Sequence, residues 1–354
     1  MDYALRRDSV AARLPELGVD ALLVTHLPNV RYLTGFTGSN GQVLVAPSEG
    51  VFFTDGRYTE QSRREVPDLE RIIYSKDFPE VLAAAGKRVG AGEIGFEAHH
   101  VTYKTFEEIS KAVSLRPVGD ELGRIRWTKD ADELALIARA QEITDKALEN
   151  LLTTLSEGMT EREAARVLDR AMEDLGAEAT AFETIAAFGE NTAEPHHSPT
   201  GRPLKAGDII KLDFGALYEG YHSDMTRTMV LGEPPQELTA IFEVVKASQE
   251  AGIAAVRAGI SGGEADAAAR RVIEDAGYGE CFSHGLGHGV GLEIHEGPTL
   301  RSGGSDVIPA GAVVTVEPGI YVSGLGGVRI EDIVEVLDGG CKPLPSSTKE
   351  LVVL

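Results

Sequence analysis

The sequence predicts a two-domain α/β protein, in which an N-terminal α/β domain precedes an α+β domain made of an internal pseudo-twofold repeat with a curved antiparallel sheet. Three observations carry that prediction. The first third of the chain alternates helix-like and strand-like stretches. A connecting text around 118–130 then runs into one long helical stretch. Beyond it, the sequence echoes itself.

In the first part, RRDSVAARLPELGV has helical spacing and DALLVT reads as a strand. NGQVLVAP with GVFFTDGRY reads as a hairpin, TEQSRREV as helix and IGFEA as a further strand. The connection VGDELGRIRWTKDADE leads into the helix ADELALIARAQEITDKALENLL, which divides the chain into domains 1–125 and 126–354. A length of 354 residues is comfortable for two domains.

The echo sets 158–176 (GMTEREAARVLDRAMEDLG) over 259–277 (GISGGEADAAARRVIEDAG). Thr160 faces Ser261 and Glu163 faces Glu264, giving an S/T-x-x-E capping box at two helix starts. KAGDIIKLDFG (205–215) lies over PAGAVVTVEPG (309–319), so that Asp213 falls on Glu317. Asp224 in SDMTRT falls near Glu331 in RIEDIV, and HHSPT (196–200) lies over HEGPT (295–299). Each half therefore offers one acid on a strand, another on a returning strand, and a histidine, His196 or His295.

Carboxylates are poorly suited to apolar strands, because an unpaired buried charge loses several kcal/mol of solvation. A lone strand aspartate ordinarily caps a turn or faces solvent. Acids at equivalent points of a repeat are less easily dismissed. If the halves face one another, Asp213, Asp224, Glu317 and Glu331 converge, and such a cluster must protonate or bind cations. Two divalent ions balance four negative charges. An oxygen-rich set with one imidazole, for which His288 is the candidate, favours Mn²⁺, with Co²⁺ or Zn²⁺ as alternatives.

The five acid and histidine contexts, PHH, SDMTRT, HGLGHGVGLEIHEGP, VEPG and GVRIED, resemble those of the pita-bread metallopeptidases, and most of all the proline-specific branch of Xaa-Pro dipeptidases (prolidases) and aminopeptidases P. NVRYLTGFTGSNG and FFTDGRYTEQ are similar to the creatinase-like N-terminal domain of that branch. The resemblance covers almost the whole chain. It implies a dinuclear metal site held by Asp213, Asp224, His288, Glu317 and Glu331, with a hydroxide between the metals as nucleophile. It also implies that Glu317 relays a proton to the leaving nitrogen. His196, His284 and His295 would stabilise the oxyanion or hold the peptide. Arg329 would contact ligands or substrate beside Glu331, with Tyr321 a weaker candidate. The implied substrates are small peptides with proline at the second position. An Xaa-Pro bond is a tertiary amide, so a site that activates the carbonyl can cut it without gripping an N–H.

The resemblance further implies a homodimer. Arg31, Tyr32 and Arg57 of the N-terminal domain are candidates for capping the carboxylate of a dipeptide. Two other functions are alternatives: methionine aminopeptidase, which shares the five ligands but normally lacks the N-terminal domain, and a non-catalytic peptide-binding protein on the same scaffold, whose known relatives have lost those ligands. Creatinase shares the domain plan but not the metal ligands.

Composition excludes other classes. Hydrophobic content of 42% and charged content of 25% fit a soluble protein with a sizeable core. A formal charge of −22 opposes binding to nucleic acid or anionic membranes and attracts cations. Cys281 and Cys341 form neither a disulfide framework nor a zinc-finger spacing. MDYALRRDSV is charged rather than signal-like, and no stretch of ~18 apolar residues occurs. A reduced cytoplasmic setting is the expectation.

Three motifs promise more than they hold. Gly90, Gly92 and Gly95 spell G-x-G-x-x-G, but a strand-like stretch follows where a helix is needed. GISGG matches G-x-S-x-G, yet Ser261 is already a helix cap. His295-Glu296 opens like H-E-x-x-H, but Thr299 takes the second histidine position after Pro298. His197, beside His196, reads as loop surface.

Overall fold

The computed structural model describes residues 1–47, 49–75 and 77–354. It divides into two units, Met1–Arg126 and Trp127–Leu354.

The first unit is built on six strands: β1 (Ala21–Val24), β2 (Gln42–Val45), β3 (Gly50–Asp55), β4 (Glu70–Tyr74), β5 (Ile94–Glu97) and β6 (Leu115–Val118). Their order is β4-β3-β2-β1-β5-β6. The β1–β2 and β2–β3 pairs are antiparallel; the outer pairs are parallel. Val24, Leu44 and Phe53 are buried completely, because helices cover the sheet. RRDSVAARLPELGV forms two helices rather than one, Tyr3–Ala11 and Leu14–Leu17, since Pro15 suits only a helix start. A helix that the sequence reading passed over, Leu27–Thr34, has Pro28 in its first turn and stops at Gly35, whose φ is 75°. Tyr32 lies on that helix. It is buried under Arg6, whose guanidinium carbon sits 4.1 Å from the ring centre, so it packs the core instead of reaching a substrate. Arg57 is held in a two-pronged pair with Asp55.

The second unit opens with the helix Ala131–Leu152, capped by Asp130 and Glu133. The duplicated helices are Glu161–Asp174 and Gly262–Asp275, and both carry the expected capping boxes. The first half holds β7 (Ala179–Thr180), β8 (Ile185–Phe188), β9 (Ile209–Phe214), β10 (Ala216–Tyr218), β11 (Tyr221–His222) and β12 (Met225–Val230). The second holds β13 (Gly287–Gly289), β14 (Glu296–Leu300), β15 (Val313–Val316), β16 (Gly319–Val322), β17 (Gly326–Arg329), β18 (Asp332–Leu337) and β19 (Gly340–Pro343), and β20 (Val352–Val353) closes the chain.

The antiparallel strands form two principal sheets, β20-β12-β9-β8 and β14-β13-β15-β18-β19, rather than one continuous sheet; β20 joins β12 in parallel. The sheets meet where Glu331 N donates to Thr226 O at 3.1 Å. Strand alternation decides which side chains face that meeting. In β9, Ile210, Leu212 and Phe214 pack on the helices with Leu168 and Met172, which leaves Lys211 and Asp213 on the other face. In β15, Val314 and Val316 pack with Ala265 and Ala269, so Thr315 and Glu317 take the other face. The period of two in each half thus aims one acid at the same place. No helix among the described residues is long and apolar enough to cross a membrane.

Candidate metal centre

The first pair of acids is presented by a hairpin. Phe214 pairs with Met225 and Asp213 with Thr226, and beyond them the chain turns at Glu219 and Gly220, both at positive φ. Gly215 lies between the strand and the turn. A Cβ there would stand 1.9 Å from Ser223 O, so only glycine lets the strands close ahead of Asp224. His288 is placed by a different squeeze. It is flanked by Gly287 and Gly289, whose added Cβ atoms would meet Thr315 O and Gly297 O at 2.1 Å. β13 can therefore fit between β14 and β15 only because glycines surround the histidine.

His196, Asp213, Asp224, His284, His288, His295, Glu317, Arg329 and Glu331 all line one cavity of about 430 Å³, to which Phe182, Ile185 and Ile294 add an apolar wall. Within it, Asp224, His288 and Glu331 each offer a ligand atom within 4.8 Å of the others. Asp213 and Glu317 border this triad. His288 Nε2 lies 3.7 Å from Asp224 Oδ2 and 3.4 Å from Glu317 Oε1, a ring of groups too far apart for good direct hydrogen bonds. Asp213 uses Oδ2 to pair with Arg329, whereas its buried Oδ1 has no hydrogen-bond partner.

The electrostatics follow from this crowding. Burial, followed by repulsion from Glu331, Asp213 and Glu317, pushes the Asp224 carboxyl well above its usual range. Burial and then Glu317 and Asp213 do the same to Glu331. Glu317 is pushed up to about 7, chiefly by burial and with Asp213 adding to it. Burial moves the histidines the other way: His288 and His295 fall below the ordinary imidazole range and His284 to about 4. The carboxylates thus disfavour their own ionisation, while the imidazoles favour their neutral, ligating form. A divalent cation would relieve both. The orphaned Asp213 Oδ1, the spacing of the triad and a donor set of hard oxygens with one nitrogen fit such an ion.

A polar chain runs beside the acids. Arg329 Nη1 donates to Tyr321 Oη at 2.8 Å, and Tyr321 Oη lies 2.9 Å from His284 Nε2. Burial holds the tyrosine hydroxyl up at about 12, so it remains a neutral donor. His284 Nδ1 meets Gly285 O at 2.8 Å, a partner that only a ring N–H can satisfy; Nε2 is then the acceptor for tyrosine. His197 overturns its surface assignment. It is 5% exposed and lies between Glu194 and Glu161, at 2.6 and 3.0 Å, because the loop turns it inward behind His196. Sequence reasoning also passed over Thr226, Thr315 and Lys211. Lys211 is fully buried beneath Tyr321 and donates to Thr192 O and Glu194 O at 2.9 and 2.6 Å. A lysine in the apolar run IIKLDF was the available signal.

Residues 135–338 match the model of metallopeptidase family M24, and residues 6–127 match the Creatinase/Prolidase N-terminal domain. The chain belongs to metallopeptidase family M24. It is 39% identical to the uncharacterized peptidase YqhT of Bacillus subtilis, over 96% of this chain and 97% of that one. The structure of an Xaa-Pro dipeptidase from Bacillus anthracis superposes with a TM-score of 0.97 at 36% identity, covering 100% of both chains. An X-Pro aminopeptidase from Thermotoga maritima gives a TM-score of 0.90 at 36% identity, over 96% of this chain and 99% of that one.

Proposed function

We propose that this M24 metallopeptidase is a metal-dependent exopeptidase that hydrolyses Xaa-Pro bonds in small peptides, as an Xaa-Pro dipeptidase or Xaa-Pro aminopeptidase. The observation that carries the reading is the convergence of four carboxylates and His288 on one cavity, with Asp213 Oδ1 left without a partner. Asp213, Asp224, His288, Glu317 and Glu331 would hold two divalent cations, Mn²⁺ in preference to Co²⁺ or Zn²⁺ on the oxygen-rich donor set. When bound, the cations supply Lewis-acid polarisation of the scissile carbonyl and activation of water at neutral pH.

The chain's own groups do the rest. Thr315 Oγ1 lies 3.1 Å from Glu317 Oε1 and steadies that carboxylate at the cavity wall, where it can take a proton from water and hand it to the leaving proline nitrogen. His196 and His295 face the same space and are suited to gripping the carbonyl oxygen or the peptide. Arg329, through Tyr321, keeps His284 in one tautomer. Phe182, Ile185 and Ile294 exclude water from one side and suit apolar substrate parts. The similarity to an Xaa-Pro dipeptidase and to an X-Pro aminopeptidase supports proline at the second position. A homodimer in a reducing, cytoplasmic setting completes the reading; Cys281 and Cys341 are both free thiols.

The test is a length series, Ala-Pro against Ala-Pro-Ala and longer peptides, with Mn²⁺ present. Rapid cleavage of Ala-Pro alone identifies a dipeptidase; cleavage of the longer peptides identifies an aminopeptidase. Asp224→Asn is expected to abolish either. Undiminished activity in that variant after chelation would overturn the proposal.

A further inference from the structure

The side chain that follows each of the two repeat-related histidines is buried and held by a partner of the complementary type. Glu296, after His295, pairs with Lys129 at 2.6 Å, with both side chains almost wholly buried. His197, after His196, pairs with Glu161 at 3.0 Å. Among the described residues no hydrogen bond holds the His196 ring itself, so its aim depends on its backbone and hence on that anchor.

Glu161 is the first residue of the helix Glu161–Asp174 and is 0% exposed. Its carboxylate collects five contacts. Oε1 accepts from Phe188 N and Asn191 Nδ2, both at 2.9 Å. Oε2 meets His197 Nε2 at 3.0 Å, Thr200 N at 2.9 Å and Thr200 Oγ1 at 2.5 Å. It thus ties the end of β8 to both ends of the loop that presents His196. Lys211 and Arg329 fasten the run leading into that loop, at Thr192 O, Glu194 O and Pro195 O.

The duplicate half shows that the fold does not demand a carboxylate at this position of the helix. There the helix start lies against the HEGPT stretch, which forms β14, and Ser261 bridges Val307 as Thr160 bridges Pro203. The position equivalent to Glu161 is Gly262, which approaches so closely that an added Cβ would stand 2.0 Å from Thr299 O. Thr299 donates its backbone N–H and its hydroxyl to Asp306 Oδ2 instead, at 3.3 and 3.0 Å. In that half the carboxylate on the threonine comes from outside the helix, whose start contributes backbone alone; in the first half the helix start itself supplies a fully buried carboxylate, whose desolvation is costly unless every lone pair is used.

We propose that Glu161 is a positioning residue, which through His197 and Thr200 holds the His196 imidazole in its working pose; this rests on the reading of His196 as a catalytic group. A misplaced catalytic group can cost about 100-fold in rate without loss of binding.

The experiment is a double-mutant cycle on the Mn²⁺-loaded enzyme with an Xaa-Pro substrate, using Glu161→Gln, His196→Ala and the pair, with kcat, KM and bound manganese read for each. The expected result is a kcat lowered roughly 10- to 100-fold in Glu161→Gln, at near-normal KM and metal content, with no further loss when it is added to His196→Ala. Equal losses in both backgrounds, or no loss in either, overturn the positioning role. Full activity in His196→Ala overturns the underlying reading and the proposal with it. If Glu161→Gln does not fold, His197→Gln replaces it; a loss that again disappears without His196 supports the proposal, and an additive loss or no loss overturns it.

Discussion

Thr226 donates its hydroxyl to Glu331 Oε2 at 2.7 Å, across the boundary between the two halves of the repeat. The same hydroxyl oxygen accepts from Arg329 Nε at 3.0 Å. One small side chain on β12 therefore orients an acid and an arginine that both belong to the other half. Groups that orient metal ligands typically affect affinity 10- to 100-fold. Thr226→Val keeps the shape and removes the hydroxyl, so it is expected to weaken Mn²⁺ binding by roughly that factor. Competition with a chromogenic chelator measures this, and unchanged affinity would remove Thr226 from the account.

The metal-free protein should become less stable as pH rises, in part because of Glu317. Burial raises its carboxyl to about 7 against the opposing pull of Arg329, with Asp213 adding to the rise. A carboxyl raised by folding contributes stability that is fully present below its unfolded pKa and is lost as pH climbs through the folded value. Between pH 5 and 8 in EDTA, the melting temperature of the wild type is expected to fall more steeply than that of Glu317→Gln. Parallel curves would contradict the assignment. Saturating Mn²⁺ should displace protons from the acids and flatten the wild-type curve.

Tyr321→Phe removes the hydroxyl shared by Arg329 and His284. A lost buried hydrogen bond typically costs about 1 kcal/mol, so folding should survive. Metal content should also be unchanged, since Tyr321 is outside the proposed ligand set. With His284 Nε2 released from its donor, kcat is expected to fall while bound manganese, read by mass spectrometry, does not. A parallel loss of metal would reassign Tyr321 to the metal site.

Gly215→Ala forces a methyl against Ser223 O, a backbone atom that cannot move without opening the hairpin. Overpacking of this kind typically costs about 1–3 kcal/mol, and here it falls between Asp213 and Asp224. Lower thermal stability and weaker Mn²⁺ binding are expected together. Gly201→Ala is the control, because an added Cβ there meets nothing within 4 Å and no positive φ is required. Matching behaviour of the two variants would show that the close approach at Gly215 is unimportant.

The capping boxes at Thr160 and Ser261 were legible because they depend on residues three apart, and local chemistry survives in local sequence. The long helix Ala131–Leu152 was legible for the same reason. The helix Leu27–Thr34 was not, since only eight residues of mixed polarity announce it. The inward turn of His197 was hidden as well. Its partner Glu161 is 36 positions away, and nothing in HHSPT says which histidine that carboxylate holds.

By itself, the sequence determined the duplication, the period-two alternation that sends Asp213 and Glu317 to the same face of their strands, and the acids and imidazoles available for a metal. Tertiary structure alone decided how those groups are shared out. It brought Asp224, His288 and Glu331 within reach of one another, tied Asp213 to Arg329, and gave His197 rather than His196 to Glu161. Alternation and capping are properties of neighbouring residues, whereas the partner of a buried charge is set by whichever distant group packing brings beside it, and only the folded chain specifies that.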